Sequence, residues 1–326
     1  ASPGRFVSMR YDNTKIVALC GGIGGSKLAL GLNNILKQKN LSIITNTGDD
    51  FLYLGFYICP DIDTVIYTLA GVNNPETGWG REDETWKTLD VLKELGADTW
   101  FQLGDKDLAL HLFRSKEKRK GELLTTITRK ISKKFGLSTN VLPMSNHMVQ
   151  TILETHEGEI SFQDYFVRQK HKPKVSNISF KSKKPVATEA VNKALLDKDL
   201  DGIIFCPSNP FLSIDPILSI NRIRKLIEKH RKPRVAISPI VGHESVKGPT
   251  SKLMKEMGIE VSALSIAKHY HGLIDGIIID KSDEKQIEEI RKMGVKVKLA
   301  EIIVNTEEEK MRLAEESIEF IQEIAL

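Results

Sequence analysis

A glycine-rich segment near the start of the chain has the composition of an anion-binding site. It reads Gly-Gly-Ile-Gly-Gly-Ser-Lys over residues 21–27 and follows a short apolar run. Backbone N–H groups and the helix dipole at a strand-to-helix junction attract phosphate, and glycine lets the backbone approach it closely. A tight turn without a ligand is the alternative. The residues predicted to bind the phosphates of a nucleotide-containing substrate are Gly22, Gly24, Gly25, Ser26 and Lys27.

The residue order in this segment argues against two familiar nucleotide loops. A Walker A loop needs Gly-Lys-Ser or Gly-Lys-Thr, whereas this chain has Gly-Ser-Lys. The dinucleotide fingerprint GxGxxG needs a third glycine at the position of Lys27. A cation in the first helical turn opposes the helix dipole unless an anion joins it. Lys27 therefore favours a phosphate ligand over hydride chemistry.

Two acidic segments follow, and the first of them comes directly after an apolar run. Asn-Thr-Gly-Asp-Asp ends at Asp50, and Pro-Asp-Ile-Asp-Thr occupies residues 60–64. Ligands of open α/β sheets bind beyond the carboxyl ends of the strands, where Asp49 and Asp50 would lie. Asp50 and Asp63 are candidates for holding Mg²⁺, and either carboxylate could instead deprotonate an acceptor hydroxyl. Ribose binding is an alternative for Asp49 or Asp50, and helix capping is one for Asp61 or Asp63.

Three later segments hold further polar candidates. If residues 107–112 are helical, Asp107 and His111 share a face, which suits a catalytic pair or an ordinary surface pair. Cys-Pro-Ser-Asn-Pro at 206–210 and Ser-Pro-Ile-Val-Gly-His at 238–243 each follow an apolar run. Exposed backbone and small polar residues in these segments suit the binding of nucleotide phosphates or of a base edge. An ordinary strand-to-helix turn is an equally good interpretation. The candidates in these two segments are Ser208, Asn209, Ser238 and Gly242.

The elements that must position these residues alternate between strands and helices, as is typical of α/β proteins. A strand at 15–20, a helix at 26–39 and a strand at 41–45 predict a parallel pair with a right-handed connection. Further strands are predicted at 202–206, 234–238, 276–280 and 295–299, with helices at 221–230 and 250–257. We therefore predict an α/β fold with a doubly wound, mainly parallel sheet.

The middle of the chain interrupts this alternation. Its predicted elements are helices at 82–95 and 122–135, a hairpin of 151–155 with 159–164, and a basic, proline-containing stretch up to residue 185. We predict that residues 82–185 form an insertion over the ligand edge of the sheet. Residues 15–81 and 186–326 then form the core, and residues 1–14 are predicted to be a disordered tail.

Composition narrows the class of protein. The 326 residues are 40% hydrophobic and 28% charged, which is ordinary for a soluble globular protein. No apolar run reaches the roughly 18 residues of a membrane span, so a cytoplasmic protein without membrane contact is expected. Basic clusters at 116–120, 129–134 and 168–184 lack the aromatic or zinc-finger patterns of nucleic-acid binders and favour a phosphorylated small ligand. The three distant cysteines are predicted to be buried thiols.

The order of these segments resembles that of the 2-phospho-L-lactate transferase family, which makes the precursor of the deazaflavin cofactor F420. The resemblance extends from residue 15 over nearly the whole chain. It is carried by GGIGGSK at 21–27, NTGDD at 46–50, PDIDT at 60–64, LGDKD at 103–107, LPMS at 142–145, FQDY at 162–165, PSNP at 207–210, SPIVG at 238–242 and GP at 248–249. Each motif is weak alone, and their common order is highly specific.

The resemblance implies a Rossmann-like core with an inserted, largely helical subdomain, a requirement for Mg²⁺, and a homodimer. It also implies a reaction. The terminal ribityl hydroxyl of the deazaflavin Fo attacks the phosphate that carries lactate, or enolpyruvate in some members, and GMP leaves. By position, Asp63 should contact Fo and the metal, with Asp50 as the second metal candidate. The other Fo contacts implied are Gln102, Lys106 and His111.

Two departures from the family pattern concern the substrate contacts. Family members often have GGTGT-PK in the first segment and a basic residue before LGD, whereas this chain has GGIGG-SK and Gln102. Two other classes of protein also stay open. If the chain were an NAD-dependent dehydrogenase, it would bind nicotinamide. If it were a nucleotide-binding regulatory protein of a sister family, it would bind a nucleotide without turnover. The sequence does not choose among lactyl, enolpyruvyl and glyceryl diphosphoguanosine as donor.

Overall fold

Seven parallel strands form the central sheet of the computed structural model, which describes residues 9–326. In their order across the sheet, they are β14 (Lys296–Ala300), β13 (Gly276–Asp280), β10 (Arg234–Ile237), β9 (Gly202–Phe205), β1 (Ile16–Cys20), β2 (Leu41–Thr45) and β5 (Asn140–Pro143). From β1 the chain winds outward to β2 and β5, and it then returns to β9 and winds the other way. The reversal lies between β1 and β9, which is where open α/β sheets bind ligands.

Helices cover both faces of this sheet. The helices are α1 (Gly22–Ile35), α2 (Pro60–Ala70), α3 (Lys87–Glu94), α4 (Asp105–Arg119), α5 (Leu124–Lys134), α6 (Glu189–Leu195), α7 (Asp215–Leu218), α8 (Asn221–Glu228), α9 (Thr250–Glu256), α10 (Ala263–His269), α11 (Ile287–Arg291) and α12 (Glu307–Ala325). Alternate residues of β1 pack into two separate apolar cores, one holding α1, α2 and α12 and the other α6, α8 and α10. Because both faces are covered, all five residues of β1 are buried and apolar.

Three small antiparallel sheets lie outside the central one. They are β3 (Phe51–Tyr53) with β4 (Phe56–Ile58), β6 (Gln150–Thr155) with β7 (Gly158–Ser161) and β8 (Val175–Lys181), and β11 (Ile240–Val241) with β12 (Glu244–Ser245). Short π-helical segments occupy Asp164–Arg168 and Pro210–Ile214. Within residues 9–326, no helix combines the length and apolarity that crossing a bilayer would require.

The predicted doubly wound α/β fold is confirmed, with strand limits within one residue for six of the seven strands. The helix predicted at 26–39 begins earlier, at Gly22, with Gly21 as its N-cap. The glycine-rich segment is therefore the first two turns of α1 rather than a loop before it. Glycine is needed at position 22 because its φ is +66°.

The edge strand β5 lies inside the predicted insertion 82–185 and pairs with β2. Four residues ending in proline give little strand signal, but an edge strand tolerates proline. That part of the predicted boundary is wrong; the rest of the division stays a prediction. The tail prediction is also wrong for residues 9–14, because Tyr11 is only 1% exposed and packs in the core. Residues 1–8 lie outside the described residues.

Candidate active site

A cavity of about 600 Å³ lies along the carboxyl ends of the central strands. The segments that follow β1, β2, β9, β10 and β14 all contribute to its wall. It therefore lies where the reversal between β1 and β9 predicts a ligand site. A volume of this size falls within the usual range of small-molecule sites.

The start of α1 forms one side of this cavity, and its glycines permit close packing. A Cβ atom on Gly24 would lie 2.8 Å from the carbonyl oxygen of Pro207, and one on Gly21 would lie 2.5 Å from Oδ2 of Asp61. The N–H of Gly21 donates to Oγ of Ser208 at 3.1 Å. Gly22 and Gly24 line the cavity, as a phosphate contact would need.

The predicted phosphate contacts Gly25, Ser26 and Lys27 have other roles in the structure. Gly25 packs against Cys20 and Ser208, and Oγ of Ser26 donates to the carbonyl of Gly22 at 2.7 Å. Neither residue lines the cavity. Lys27 does line it, but its Nζ donates to the carbonyl of Val304 at 2.8 Å and to Oδ1 of Asn305 at 2.9 Å. Lys27 thus joins α1 to the segment that follows β14.

The other predicted donor contacts divide between the cavity wall and the interior. Ser208 and Asn209 line the cavity, and Nδ2 of Asn209 is buried without a hydrogen-bond partner. Ser238 is buried and bonded to the backbone of Ile240. The N–H of Gly242 donates to the carboxylate of Asp283. Neither Ser238 nor Gly242 lines the cavity. Among these four residues, Asn209 therefore has a side-chain N–H group that remains available to a ligand.

Three buried carboxylates line the cavity beside the start of α1: Asp49, Asp61 and Asp63. Asp61 accepts a hydrogen bond from Asn46 Nδ2 at 2.9 Å, and burial raises its pKa to about 6. Burial raises the pKa of Asp49 well above its usual value, and the charge of Asp61 adds to this. Helix capping does not explain Asp61 or Asp63, because the N-cap of α2 is Cys59.

Asp50 lies behind the cavity wall rather than in it. Both of its carboxylate oxygens are buried without hydrogen-bond partners, and burial raises its pKa well above the usual value. Its neighbour Asp49 lines the cavity with an unpartnered Oδ1. Of the adjacent pair, Asp49 is thus the residue that reaches the ligand space.

The fit of Mg²⁺ to this site depends on cavity-lining carboxylates that no protein cation neutralises. Nowhere in residues 9–326 do three His, Cys, Asp or Glu side chains form a complete metal site. Mg²⁺ does not need one, because it commonly takes one or two carboxylates together with substrate phosphates and water. Asp49 and Asp61 fit this requirement: both line the cavity, neither has an ion-pair partner in the described part of the chain, and their charges are mutually unfavourable.

Asp63 differs from these carboxylates because a buried guanidinium neutralises it. Its Oδ1 forms a short ion pair with Arg114, a fully buried residue of α4, while its Oδ2 has no hydrogen-bond partner. Arg114 also donates to the carbonyl of Tyr57 at 3.3 Å and lies 3.2 Å from Nδ1 of His111. Burial raises the pKa of Asp63, and Arg114 opposes that rise. Burial and the charge of Arg114 lower the pKa of His111 to about 3, so the imidazole is neutral.

Part of the cavity lining is aromatic. The lining includes Trp79, Phe101, Gln102, Phe162 and Phe166. The rings of Phe162 and Phe166 are stacked with centroids 5.4 Å apart. Gln102 lines the cavity together with these rings, and its contact with Fo stays a prediction. Lys106 does not line this cavity, because its Nζ donates to the carbonyl of Glu82 at 2.8 Å.

Asp107 lines the same cavity. Its Oδ1 accepts a hydrogen bond from the hydroxyl of Tyr67 at 2.7 Å. Burial raises its pKa from 3.8 to about 6, with smaller contributions from the charges of Asp63 and Glu84. The predicted helical face shared with His111 is confirmed, since both residues belong to α4 and line the cavity.

Replacing Asp107 by asparagine is expected to stabilise the protein at neutral pH. The pKa of Asp107 is higher in the folded state than in the unfolded state, so this aspartate lowers the free energy of unfolding as the pH rises from about 4 to about 6. Asparagine does not ionise and removes that loss, while its carbonyl still accepts a hydrogen bond from Tyr67. We expect a gain of about 1 to 2 kcal/mol at pH 7 that vanishes near pH 4. Urea unfolding at both values measures it, and a gain independent of pH would contradict the assignment.

Arg114 and Tyr67 are two polar residues of this site that the motifs did not single out. Arg114 follows His111 by one helical turn, but the apolar and basic residues around it read as an ordinary helix surface. Its burial depends on α2 and β4 packing over it. No sequence signal indicates this contact, because the partners lie 51 and 57 residues away.

Comparison with known proteins identifies relatives over almost the whole chain. The family model for 2-phospho-L-lactate transferase CofD matches residues 16–322. The 2-phospho-L-lactate transferase of Methanosarcina mazei is 35% identical over 92% of this chain and 98% of its own length. The phosphoenolpyruvate transferase of Streptomyces griseus is 35% identical over 95% of this chain and 99% of its own length.

A solved structure shares the fold at much lower identity. A UPF0052-family protein of Bacillus halodurans superposes with a TM-score of 0.63 over 93% of this chain and 99% of its own, at 16% sequence identity. At this identity the likeness concerns the fold alone.

Proposed function

Because the chain belongs to the 2-phospho-L-lactate transferase family, we propose that it passes a phospholactyl or phosphoenolpyruvyl group from a guanosine-diphosphate-linked donor to Fo. The terminal ribityl hydroxyl of Fo is the acceptor, and GMP is released. The observation that carries this proposal is a single cavity whose lining combines three features. They are a glycine-rich helix start, buried carboxylates and a set of aromatic side chains.

The aromatic side chains of the lining suit the deazaflavin ring of the acceptor. Flat ring systems pack favourably against aromatic side chains, and Trp79, Phe101 and Phe166 line the cavity. Gln102 supplies a neutral amide that can donate to or accept from ring substituents. His111 and Asp63 line the same cavity and offer polar contacts to the hydroxyl groups of a ribityl chain. This combination of residues supports Fo as the acceptor.

The start of α1 suits the diphosphate of the donor. The N-terminus of a helix carries a partial positive charge, which stabilises phosphate. Gly22, Gly24 and Ser208 bound this space, and Asn209 contributes a buried side-chain amide. The segment of residues 302–305, held by Lys27, extends the cavity toward a nucleoside.

Asp49 and Asp61 are the residues that would hold Mg²⁺. A bound Mg²⁺ supplies neutralisation of the phosphate charge that grows on the leaving group. Asp49 and Asp61 would lose their mutual repulsion in the presence of the cation. The predicted ligands Asp50 and Asp63 fit less well, since Asp50 does not line the cavity and Asp63 is paired with Arg114.

The chemistry required of the side chains is positioning and proton transfer. The hydroxyl oxygen of Fo forms a bond to the phosphorus that carries the organic acid, while the bond from that phosphorus to the bridging oxygen breaks and GMP leaves. In this proposal, Asp63 accepts a hydrogen bond from the attacking hydroxyl and takes its proton. Phosphoryl transfer needs no covalent nucleophile, and the cavity-lining residues suit that requirement.

A direct assay tests the proposed function. The full chain is incubated with Fo, Mg²⁺ and lactyl, enolpyruvyl or glyceryl diphosphoguanosine, and the products are analysed by mass spectrometry. We expect equimolar GMP and phosphorylated Fo with at least one donor. Omission of Fo is the control for donor hydrolysis. If none of the three donors yields GMP while the nucleotide still binds, the chain is a regulatory nucleotide-binding protein instead.

The donor identity and the oligomeric state are separate proposals. Relatives carry names for both phospho-L-lactate and phosphoenolpyruvate transfer at the same 35% identity, so comparison of kcat/KM among the three donors decides the first. We propose a homodimer from the family resemblance. Light scattering should then give about twice the chain mass of 36.6 kDa, and a mass of one chain would refute it.

A further inference from the structure

The buried guanidinium of Arg114 connects three groups that belong to different elements. It pairs with the carboxylate of Asp63 on α2, donates to the carbonyl of Tyr57 on β4, and reaches His111 one turn earlier on α4. Arg114 is fully buried, its Nε has no hydrogen-bond partner in the described part of the chain, and the charge of Asp50 also acts on the guanidinium. A buried cation with so many contacts fixes the groups around it, because moving any of them would leave a charge unpaired.

The contact between Arg114 and His111 determines where the imidazole carries its proton. The distance from the guanidinium nitrogen to Nδ1 is 3.2 Å. Arginine has donors and no acceptor, so Nδ1 must accept and cannot carry a hydrogen. Oδ2 of Asp63 lies 3.7 Å from Nδ1, which is too far to hold a proton there. In the neutral ring the proton is therefore on Nε2.

This tautomer makes His111 a donor toward the ligand space. His111 lines the cavity, and no side chain or backbone group within residues 9–326 bonds to its Nε2. To act as a general base, His111 would need an unprotonated ring nitrogen facing the cavity. Its unprotonated nitrogen is Nδ1, which accepts a hydrogen bond from Arg114 instead. The ring thus offers an N–H to an oxygen of a bound molecule.

We propose that Arg114 is a positioning residue that fixes His111 with its proton on Nε2, so that His111 donates a hydrogen bond to a hydroxyl oxygen of the acceptor's polyol chain. The identity of the acceptor rests on the proposed function; the tautomer does not. Asp63, held by the same guanidinium, provides an acceptor beside this donor. A donor and an acceptor side by side are complementary to an alcohol, which has both functions.

Nitrogen NMR of the unliganded protein tests the tautomer without any substrate. The chain is labelled with ¹⁵N-histidine, and the His111 signals are identified by their loss in His111→Gln. At pH 7 we expect the shifts of a neutral ring protonated on Nε2. A neutral ring protonated on Nδ1, or a doubly protonated ring, would overturn the proposal. The shifts are read in the wild-type chain, and the variant serves only to assign them.

Kinetics of two matched substitutions test the role toward the acceptor. His111→Gln places an amide N–H near the position of Nε2, whereas His111→Asn mimics Nδ1. We expect His111→Gln to keep the KM for Fo within about threefold, and His111→Asn to raise it by about tenfold or more, the loss of one hydrogen bond. The KM for the nucleotide donor should change little in both. Equal effects of the two variants on both substrates would refute the assignment.

The positioning role is tested by Arg114→Lys, which keeps the charge but not the planar fork. We expect mixed His111 tautomers in the NMR spectrum and a rise in the KM for Fo that exceeds any rise for the donor. Unchanged His111 signals and KM in a folded Arg114→Lys protein would overturn the role. If no donor supports turnover, the proposed function fails, but the NMR result still decides the tautomer. The two failures are thus distinguishable.

Discussion

Asp63→Asn is expected to lower kcat by about 10²- to 10⁴-fold, the usual contribution of a general base. The asparagine carbonyl can still accept a hydrogen bond from Arg114, so the contact that holds α4 against α2 is retained in part. The amide cannot take a proton from the attacking hydroxyl. The loss should therefore appear in turnover, with a much smaller change in the KM for the nucleotide donor.

Steady-state kinetics together with the melting temperature test this assignment. Asp61→Asn is the matched comparison, because Asp61 lies on the same turn of α2, lines the cavity and is equally buried. We expect Asp61→Asn to raise the Mg²⁺ concentration needed for half-maximal rate, and Asp63→Asn to leave that concentration nearly unchanged. A folded Asp63→Asn protein with wild-type kcat would eliminate Asp63 as the base.

The fold was predictable because the residue types within most of its strands are typical of buried strands. Strands covered on both faces must be apolar throughout, and β1, β2 and β13 are short apolar runs bounded by polar or glycine residues. Their alternation with helices then fixes a parallel sheet and its handedness. The edge strand β5 was not predicted because it begins with asparagine and ends in proline, two residue types that are rare in strands.

The site was predictable in its location but less so in its contacts. Segments that follow parallel strands must meet at one edge of the sheet, and this argument placed Asp49 beside the cavity. Gln102 was indicated by the family resemblance, and Asp63 and His111 were indicated by an acidic segment and by helical spacing; all three line the cavity. Which of two adjacent aspartates faces that cavity depends on the backbone of one loop, and the structure places Asp49 there rather than Asp50. Sequence position does not encode such a difference.

The charge of Lys27 alone did not indicate which groups it contacts in the structure. Its predicted partner was a phosphate, since a cation opposes the helix dipole at an N-terminus. The structure provides a carbonyl and an amide oxygen from the segment after β14, nearly 280 residues away in sequence. Burial and the charges of Lys247 and Lys310 lower the pKa of Lys27. A tertiary contact thus supplies the compensation that the local argument assigned to a ligand.

Gly31→Ala is expected to destabilise the protein although alanine favours helices. Gly31 is in the middle of α1, where this substitution normally stabilises by up to about 1 kcal/mol. Here a Cβ atom would collide with the carbonyl oxygen of Lys310 on α12 and lie 3.2 Å from Cβ of Ala314. A backbone oxygen cannot rotate away, so α12 itself must move. We expect a net loss of about 1 to 3 kcal/mol, the usual cost of overpacking.

The same substitution should also weaken donor binding, because α12 follows directly on the segment of residues 302–305 that lines the cavity and accepts from Lys27. Displacing α12 moves this segment away from α1, so the KM for the nucleotide donor should rise more than the KM for Fo. Urea unfolding and kinetics measure the two effects. Asn34→Ala, a partly exposed position of the same helix, is the control and should gain a few tenths of a kcal/mol from helix propensity alone. If Gly31→Ala had the same free energy of unfolding as this control, the close contact between α1 and α12 would not constrain the segment of residues 302–305 that lines the cavity.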